Sequence, residues 1–345
     1  MKKYFLLLLL PILSFSQNKN EAENKVNEGV SLHDQGKYND ALTKYDEALN
    51  LDKNNLLALS EKAMTLNASK NYNEAINVSI LAIKSHPNED VKNLYVSYAN
   101  SLDNLNQIDQ ALKIYDEGLN KYPKYYQLHY NKGITLINAK EVEKAITEFQ
   151  NTIKLNPNHT SSYNALAVLN QQNRIPSILA SSRYLTLDNK STRAKGNLDT
   201  ILKLMAQGVS QKEDNSISLN INSELLDNVN NKKSTNNFSS TDLVLSMAAA
   251  LDFDDKNKDK TQCQKFIDKF ESICRSMNEI KKGQNGFYWE FLAPYFIEME
   301  NKKLIEPFAF IIFLPTQNSE VIKYHQENGE KIKEFYDWSK NYKWN

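Results

Sequence analysis

The feature that most constrains this chain is a repeat of about 34 residues running through its first half. Ala41, Ala75, Ala111 and Ala145 recur at that interval with one step two residues longer, and Pro87, Pro123 and Pro157 keep the same spacing. A period of this length is one helix-turn-helix unit. Such a unit cannot bury its apolar face alone, so successive units must stack.

Each unit opens with a small residue in its first helix (Gly29, Ala63, Ala99, Gly133), followed three residues later by Leu32, Leu66, Leu102 or Leu136. After a short turn, the second helix carries the alanine, then an aromatic in three of the four units (Tyr45, Tyr115, Phe149, but Ser79), then a residue of modest size (Ala48, Ala82, Gly118, Thr152). Helices approach closely only where side chains are small, and the aromatic fills the space between neighbouring pairs. Proline closes the unit because it cannot continue a helix.

These positions resemble the tetratricopeptide repeat family. The best match runs from Gly29 and Leu32 through Gly36, Tyr38 and Ala41 to Tyr45 and Ala48. The resemblance covers about residues 22–190 and implies an all-α helix-turn-helix solenoid that binds a protein or an extended peptide. The units are expected at about 22–55, 56–91, 92–125 and 126–159, with a degenerate fifth at 160–190. In that fifth unit Pro176 enters the turn and the second helix fits only with a register shift. Residues 191–210, with Leu198, Ile201, Leu202 and Met205 on one face, are expected to form a capping helix.

From 211 to 240 the composition turns to Asn, Ser, Lys and Asp, which marks a polar linker. Within it Ser218–Asn222 alternates like a strand with no evident partner. The remainder, 241–345, is helical and rich in aromatic residues and reads as a separate small domain, with a kink expected at Pro294. Cys263 and Cys274, 11 residues apart on one helical stripe, sit roughly 16 Å apart along the axis, too far for a disulfide. Buried, unreactive thiols are the expectation.

The first 16 residues look like an address. Lys2 and Lys3 precede an apolar run to Leu13, and Ser14-Phe15-Ser16 supplies small residues for cleavage. The run is short of the roughly 20 residues that a spanning helix needs, and no later stretch is longer. The mature chain is therefore expected to be exported, periplasmic or secreted, with no membrane span. Lys plus Arg and Asp plus Glu both number 42, so net charge gives no reason to expect nucleic acid as a partner.

Catalytic and metal motifs are missing. There is no phosphate loop, no Gly-x-Ser-x-Gly elbow and no His-Glu-x-x-His pair, and the five histidines are scattered. Asp255, Asn257 and Asp259 imitate the start of a calcium loop, but Lys260 stands where glycine is needed and Phe266 where the bidentate glutamate belongs. Glu290 and Glu298 lie about two helical turns apart, too far for a paired-carboxylate site without a bend. No catalytic residue, metal ligand or cofactor is assigned.

What remains is the face that each first helix turns away from its partner. Glu23, Val26, Val30 and His33 form one such stripe, and Leu57, Ser60, Met64 and Asn67 the next. Asn93, Val96, Asn100 and Asp103 follow, then Gln127, Tyr130, Ile134 and Ile137, with Asp34, Ala68, Asn104 and Asn138 alongside. Stacking aligns these stripes. His33, Asn67, Asn100, Asn104, Tyr130 and Asn138 are the candidate groove residues, because amides can bond both the N–H and the C=O of an extended chain. Family members that clamp a terminal carboxylate use Lys, Arg and Asn on these stripes; Val26, Val30, Ser60 and Met64 do not suit that mode. The expected role is an envelope adaptor. An enzyme with its site in the carboxy-terminal domain and a structural oligomer are the alternatives.

Overall fold

A computed structural model describes residues 10–213, 216–221, 223–229 and 234–344. Most of the expected leader lies outside them; Leu10 to Ser16 are helical. The chain divides into two compact units, Met1–Asn151 and Thr152–Asn345.

The first unit is the array. Its helices pair as α1 (Leu10–Asp34) with α2 (Tyr38–Leu51), α3 (Leu56–Ala68) with α4 (Tyr72–Ser85), α5 (Lys92–Asn104) with α6 (Ile108–Lys121), and α7 (Tyr126–Asn138) with α8 (Val142–Leu155), whose last turn passes the unit boundary. Every hairpin turns the same way. Gly36, Lys70, Asn106 and Lys140 all take positive φ (74°, 66°, 59° and 62°), and the next residue's N–H donates to the carbonyl of Leu32, Leu66, Leu102 or Leu136 at 2.8–2.9 Å. This left-handed closure satisfies carbonyls that the end of a helix would otherwise leave open.

The four alanines at the repeat interval are fully buried, as are Tyr45, Tyr115 and Phe149. Small and large residues are matched in pairs. A Cβ on Gly133 would come within 2.8 Å of the Phe149 ring, and one on Gly29 would fall inside the Tyr45 ring's contact distance. Packing between rows sets the curvature of this unit: α1 lies on α3, α3 on α5 and α5 on α7, while α2, α4 and α6 fill in against the first helices on either side. The first helices form the inner, more closely spaced row.

In the second unit, the array's degenerate end and the aromatic helices form one body. It contains α9 (Thr160–Leu169), α10 (Arg174–Leu187), α11 (Ala194–Ala206), a hairpin of β1 (Val209–Gln211) and β2 (Ile217–Leu219), and α12 (Ser223–Asn228). Then come α13 (Ser239–Ala250), α14 (Gln262–Ile280), α15 (Ala293–Asn301), α16 (Ile305–Ile312), α17 (Ser319–Glu327) and α18 (Gly329–Asn341). Helix α10 is buried from Arg174 to Thr186 because α9, α11, α13 and α16 all pack on it.

Two expectations change here. The compact body begins at 152 instead of 241, since α10 is buried along its length and its Arg174, Ser177 and Arg183 side chains are bonded inside the body. Helix α11 packs on α10, as a cap over the last pair would, and also touches α13 and α14. The strand in the expected linker has a partner, with Val209 opposite Leu219 and Gln211 opposite Ile217. The bend at Pro294 takes the form of a π-helical turn, Tyr288–Leu292, directly before α15.

Phe266, Phe270, Phe296 and Phe308 centre this core, with ring centroids 5.0–6.3 Å apart. Cys263 and Cys274 are free and buried beside them, and burial pushes both thiols well above their ordinary pKa.

Candidate functional site

The inner row of first helices carries the candidate site. Its polar residues are used first to hold the stack together. His33 Nδ1 lies 2.7 Å from Thr65 Oγ1 in the next unit, and Asn67 Nδ2 donates to Ser97 O at 3.0 Å and Ser101 Oγ at 2.9 Å in the one after. Asn138 Nδ2 reaches back to the Asp103 carboxylate at 3.2 and 3.3 Å. His33, Asn67 and Asp103 are equivalent repeat positions, and Thr65 and Ser101 are equivalent, fully buried positions. The result is a ladder of bonds between neighbouring units.

The other candidates divide. Asn100 Oδ1 accepts the Tyr115 hydroxyl within its own helix pair, and Asn104 Nδ2 donates to Asn100 O at 2.8 Å. Tyr130 rests its ring on Phe149 at 5.9 Å. Asn104 and Asn138 are exposed, while His33, Asn67, Asn100 and Tyr130 are half-buried. All six do lie on the first helices, and all six have partners within the array.

Sequence reasoning underrated the apolar members of the same face. Leu57 is 49% exposed, Met64 44% and Ile134 38%, and Met64 and Ile134 occupy the same repeat position as Val30 and Asn100. The signal was present in the stripes. It was hidden because an exposed aliphatic looks like a core residue until its neighbours are known.

The face is also acidic. Glu23 and Asp34 are exposed, and Glu61 and Asp103 are half-buried. Burial raises the Glu61 carboxyl above its usual pKa, and the charge of Asp34 adds to this while His33 opposes it.

In the second unit, Trp289 is buried, stacks on Phe238 at 4.2 Å and donates its indole N–H to Asn237 O at 3.0 Å. Glu290 is exposed and accepts from Gly286 N–H, whereas Glu298 accepts from the Trp338 indole N–H at 2.8 Å. An open depression of about 770 Å³ lies between α15 and α18, where Glu298, Glu334 and Asp337 alternate with Lys302 and Lys331 around Trp338. Among the described residues, no group of His, Cys, Asp or Glu could hold a metal ion, and no helix is long and apolar enough to cross a membrane.

Stacked helix hairpins with an inner row of first helices, matched small and aromatic positions and a common left-handed turn define a helical repeat protein of the solenoid class. Residues 99–172 match the family model of the tetratricopeptide repeat. Among solved structures, the chain is similar to a thermophilic TPR protein of Thermus thermophilus (20% identity over 52% of this chain and 99% of that one, TM-score 0.46). It is similar also to PilF of Pseudomonas aeruginosa (18%, 55% and 91%, 0.44) and to YrrB, a TPR protein described as having an unusual peptide-binding site (18%, 54% and 97%, 0.39). No curated protein matches the chain significantly.

Proposed function

We propose that this is an exported adaptor or scaffold of the bacterial envelope, periplasmic or secreted, whose array binds a protein or an extended peptide along the inner row of first helices. Export rests on the basic start, the apolar run and the small residues at Ser14 and Ser16. Binding rests on Leu57, Met64 and Ile134, large aliphatics left in solvent on the row that stacking brings together. Isolated exposed aliphatics are ordinary, but a stripe of them on a packed inner row is surface that a partner can cover.

A photo-crosslinking residue placed at Met64 in intact cells tests this, with the same residue at the exposed Leu81 of α4 as the comparison. Adducts from position 64 and none from 81 are expected. Adducts from 81 alone, or from neither position, would remove the inner row as the binding face.

A further inference from the structure

Charges on the first helices are sorted by side. Lys25 pairs with Glu47 of α2 at 3.0 Å, Lys62 with Asp46 of α2 at 2.7 Å and Glu74 of α4 at 3.5 Å, and Lys132 with Asp116 of α6 and Glu148 of α8, both at 2.8 Å. Lys92 is paired with Asp90 at the start of its own helix. Lys25, Lys62, Lys92 and Lys132 are thus compensated by acids of the second helices or of the adjoining loop, with Glu28 of α1 also 3.7 Å from Lys25.

The inner face is sorted the opposite way. None of its stripe positions, nor those beside them, holds a lysine or arginine, and among the described residues no ion pair reaches Glu23, Asp34, Glu61 or Asp103. Leu57, Met64 and Ile134 stand exposed on the same row of first helices as these carboxylates. A face of this kind is complementary to one chemistry. An aliphatic side chain covers the exposed apolar stripe, and a neighbouring cation supplies the counter-charge that Glu61, half-buried and close to Asp34, receives from no lysine or arginine among the described residues, where only the His33 imidazole stands near it. A terminal or side-chain carboxylate would meet only repulsion here.

We propose that the occupant of this face is an extended segment in which lysine or arginine alternates with aliphatic residues. This rests on the reading of the inner row as a peptide-binding face and narrows it to a cationic, amphipathic partner. Aliphatic contacts provide most of the affinity, and the carboxylates provide selectivity, rapid encounter and sensitivity to salt.

The test is selection of random 12-residue peptides displayed on phage against the full chain, followed by fluorescence anisotropy with the most enriched sequences made synthetically. Enriched peptides should combine Lys or Arg with Leu, Ile or Val. Their affinity should fall at least tenfold in the isosteric variant carrying Asp34→Asn, Glu61→Gln and Asp103→Asn, whose helicity is checked by circular dichroism. Raising the salt from 0.05 to about 0.5 M should weaken them several-fold, and replacing each Lys by Glu in the peptide should abolish binding. Should the triple variant lose its fold, Glu61→Gln alone and the salt series carry the test, with a loss of affinity of about threefold or more expected in each. Enrichment of acidic or uncharged peptides would overturn this inference and leave the peptide-binding reading standing. Cationic peptides indifferent to salt and to the substitutions would overturn it as well. Failure to enrich any peptide would count against both.

Discussion

The guanidinium of Arg183 lies against two rings that stack on each other, 4.9 Å from the Tyr295 centroid and 5.0 Å from that of Trp344. It is 1% exposed and makes no ion pair among the described residues; its partners are Tyr295 Oη at 3.2 Å, Ser339 Oγ at 3.0 Å and Asn158 Oδ1 at 2.9 Å. A buried cation held by aromatic faces and neutral acceptors depends on the planar fork of arginine, which can stack and donate in three directions. Arg183→Lys should therefore destabilise the second unit by about 2 kcal/mol or more, and Trp344→Ala by a similar amount, both read as lost thermal stability. An unaltered melting temperature in both variants would show that this cation–aromatic cluster contributes nothing.

In the array, Gly133 and Phe149 test the matching of small to large. Gly133→Ala should cost roughly 1–3 kcal/mol, because the new Cβ would press on a fully buried ring. Adding Phe149→Leu should recover part of that loss, so the two changes combine to less than the sum of their separate effects in a double-mutant cycle. Strict additivity would mean that the ring and the glycine are not in contact.

The hairpin turns offer the opposite sign. Lys70 is exposed and holds φ of 66°, the region that glycine occupies at the equivalent position 36. Lys70→Gly should stabilise the array by about 0.5–1 kcal/mol, since the left-handed backbone is costly for a residue with a Cβ. Chemical denaturation of the two proteins side by side would detect it as a higher midpoint at unchanged slope.

Asn67 links its repeat to the next through two bonds to buried acceptors. Asn67→Ala should cost about 1–2 kcal/mol by leaving the buried Ser101 hydroxyl and the Ser97 carbonyl without that donor. Changing Asn67, Asn100 and Asn138 together should then lower thermal stability as well as any binding. A triple variant of wild-type stability would return these amides to the role of free groove donors.

Glu61 gives a dependence on pH. Its folded-state pKa is raised, chiefly by burial, so the folded array holds this proton more tightly than the unfolded chain does. Its contribution is most favourable below the ordinary carboxyl range and is lost as pH rises through the raised value. Glu61→Gln should therefore increase thermal stability at pH 7 and make little difference near pH 4. Equal effects at the two pH values would show that the carboxyl is not desolvated.

The sequence by itself determined the repeat. Alanines at a fixed interval, glycine or alanine opposite an aromatic, and a proline after each second helix are local requirements of helix crossing and termination, so they can be read without coordinates. The candidate face was legible to the same extent, because spacings of three and four place Leu57, Met64 and Asn67 on one side of a helix wherever that helix goes. Tertiary structure decided everything that depends on which neighbour arrives. Asn67 and Ala75 both fit a periodic pattern, yet only contact between units shows that the amide is used up in the stack. Met64 and Leu66 are both apolar, yet one is left in solvent and the other is buried. The body that begins at 152 was beyond periodicity altogether: α10 holds no Asp, Glu or Lys and buries even its arginines and serines, because helices distant in sequence cover it from several directions. A pattern in one segment records the burial of its own faces, and the identity of what covers them is a property of the whole chain.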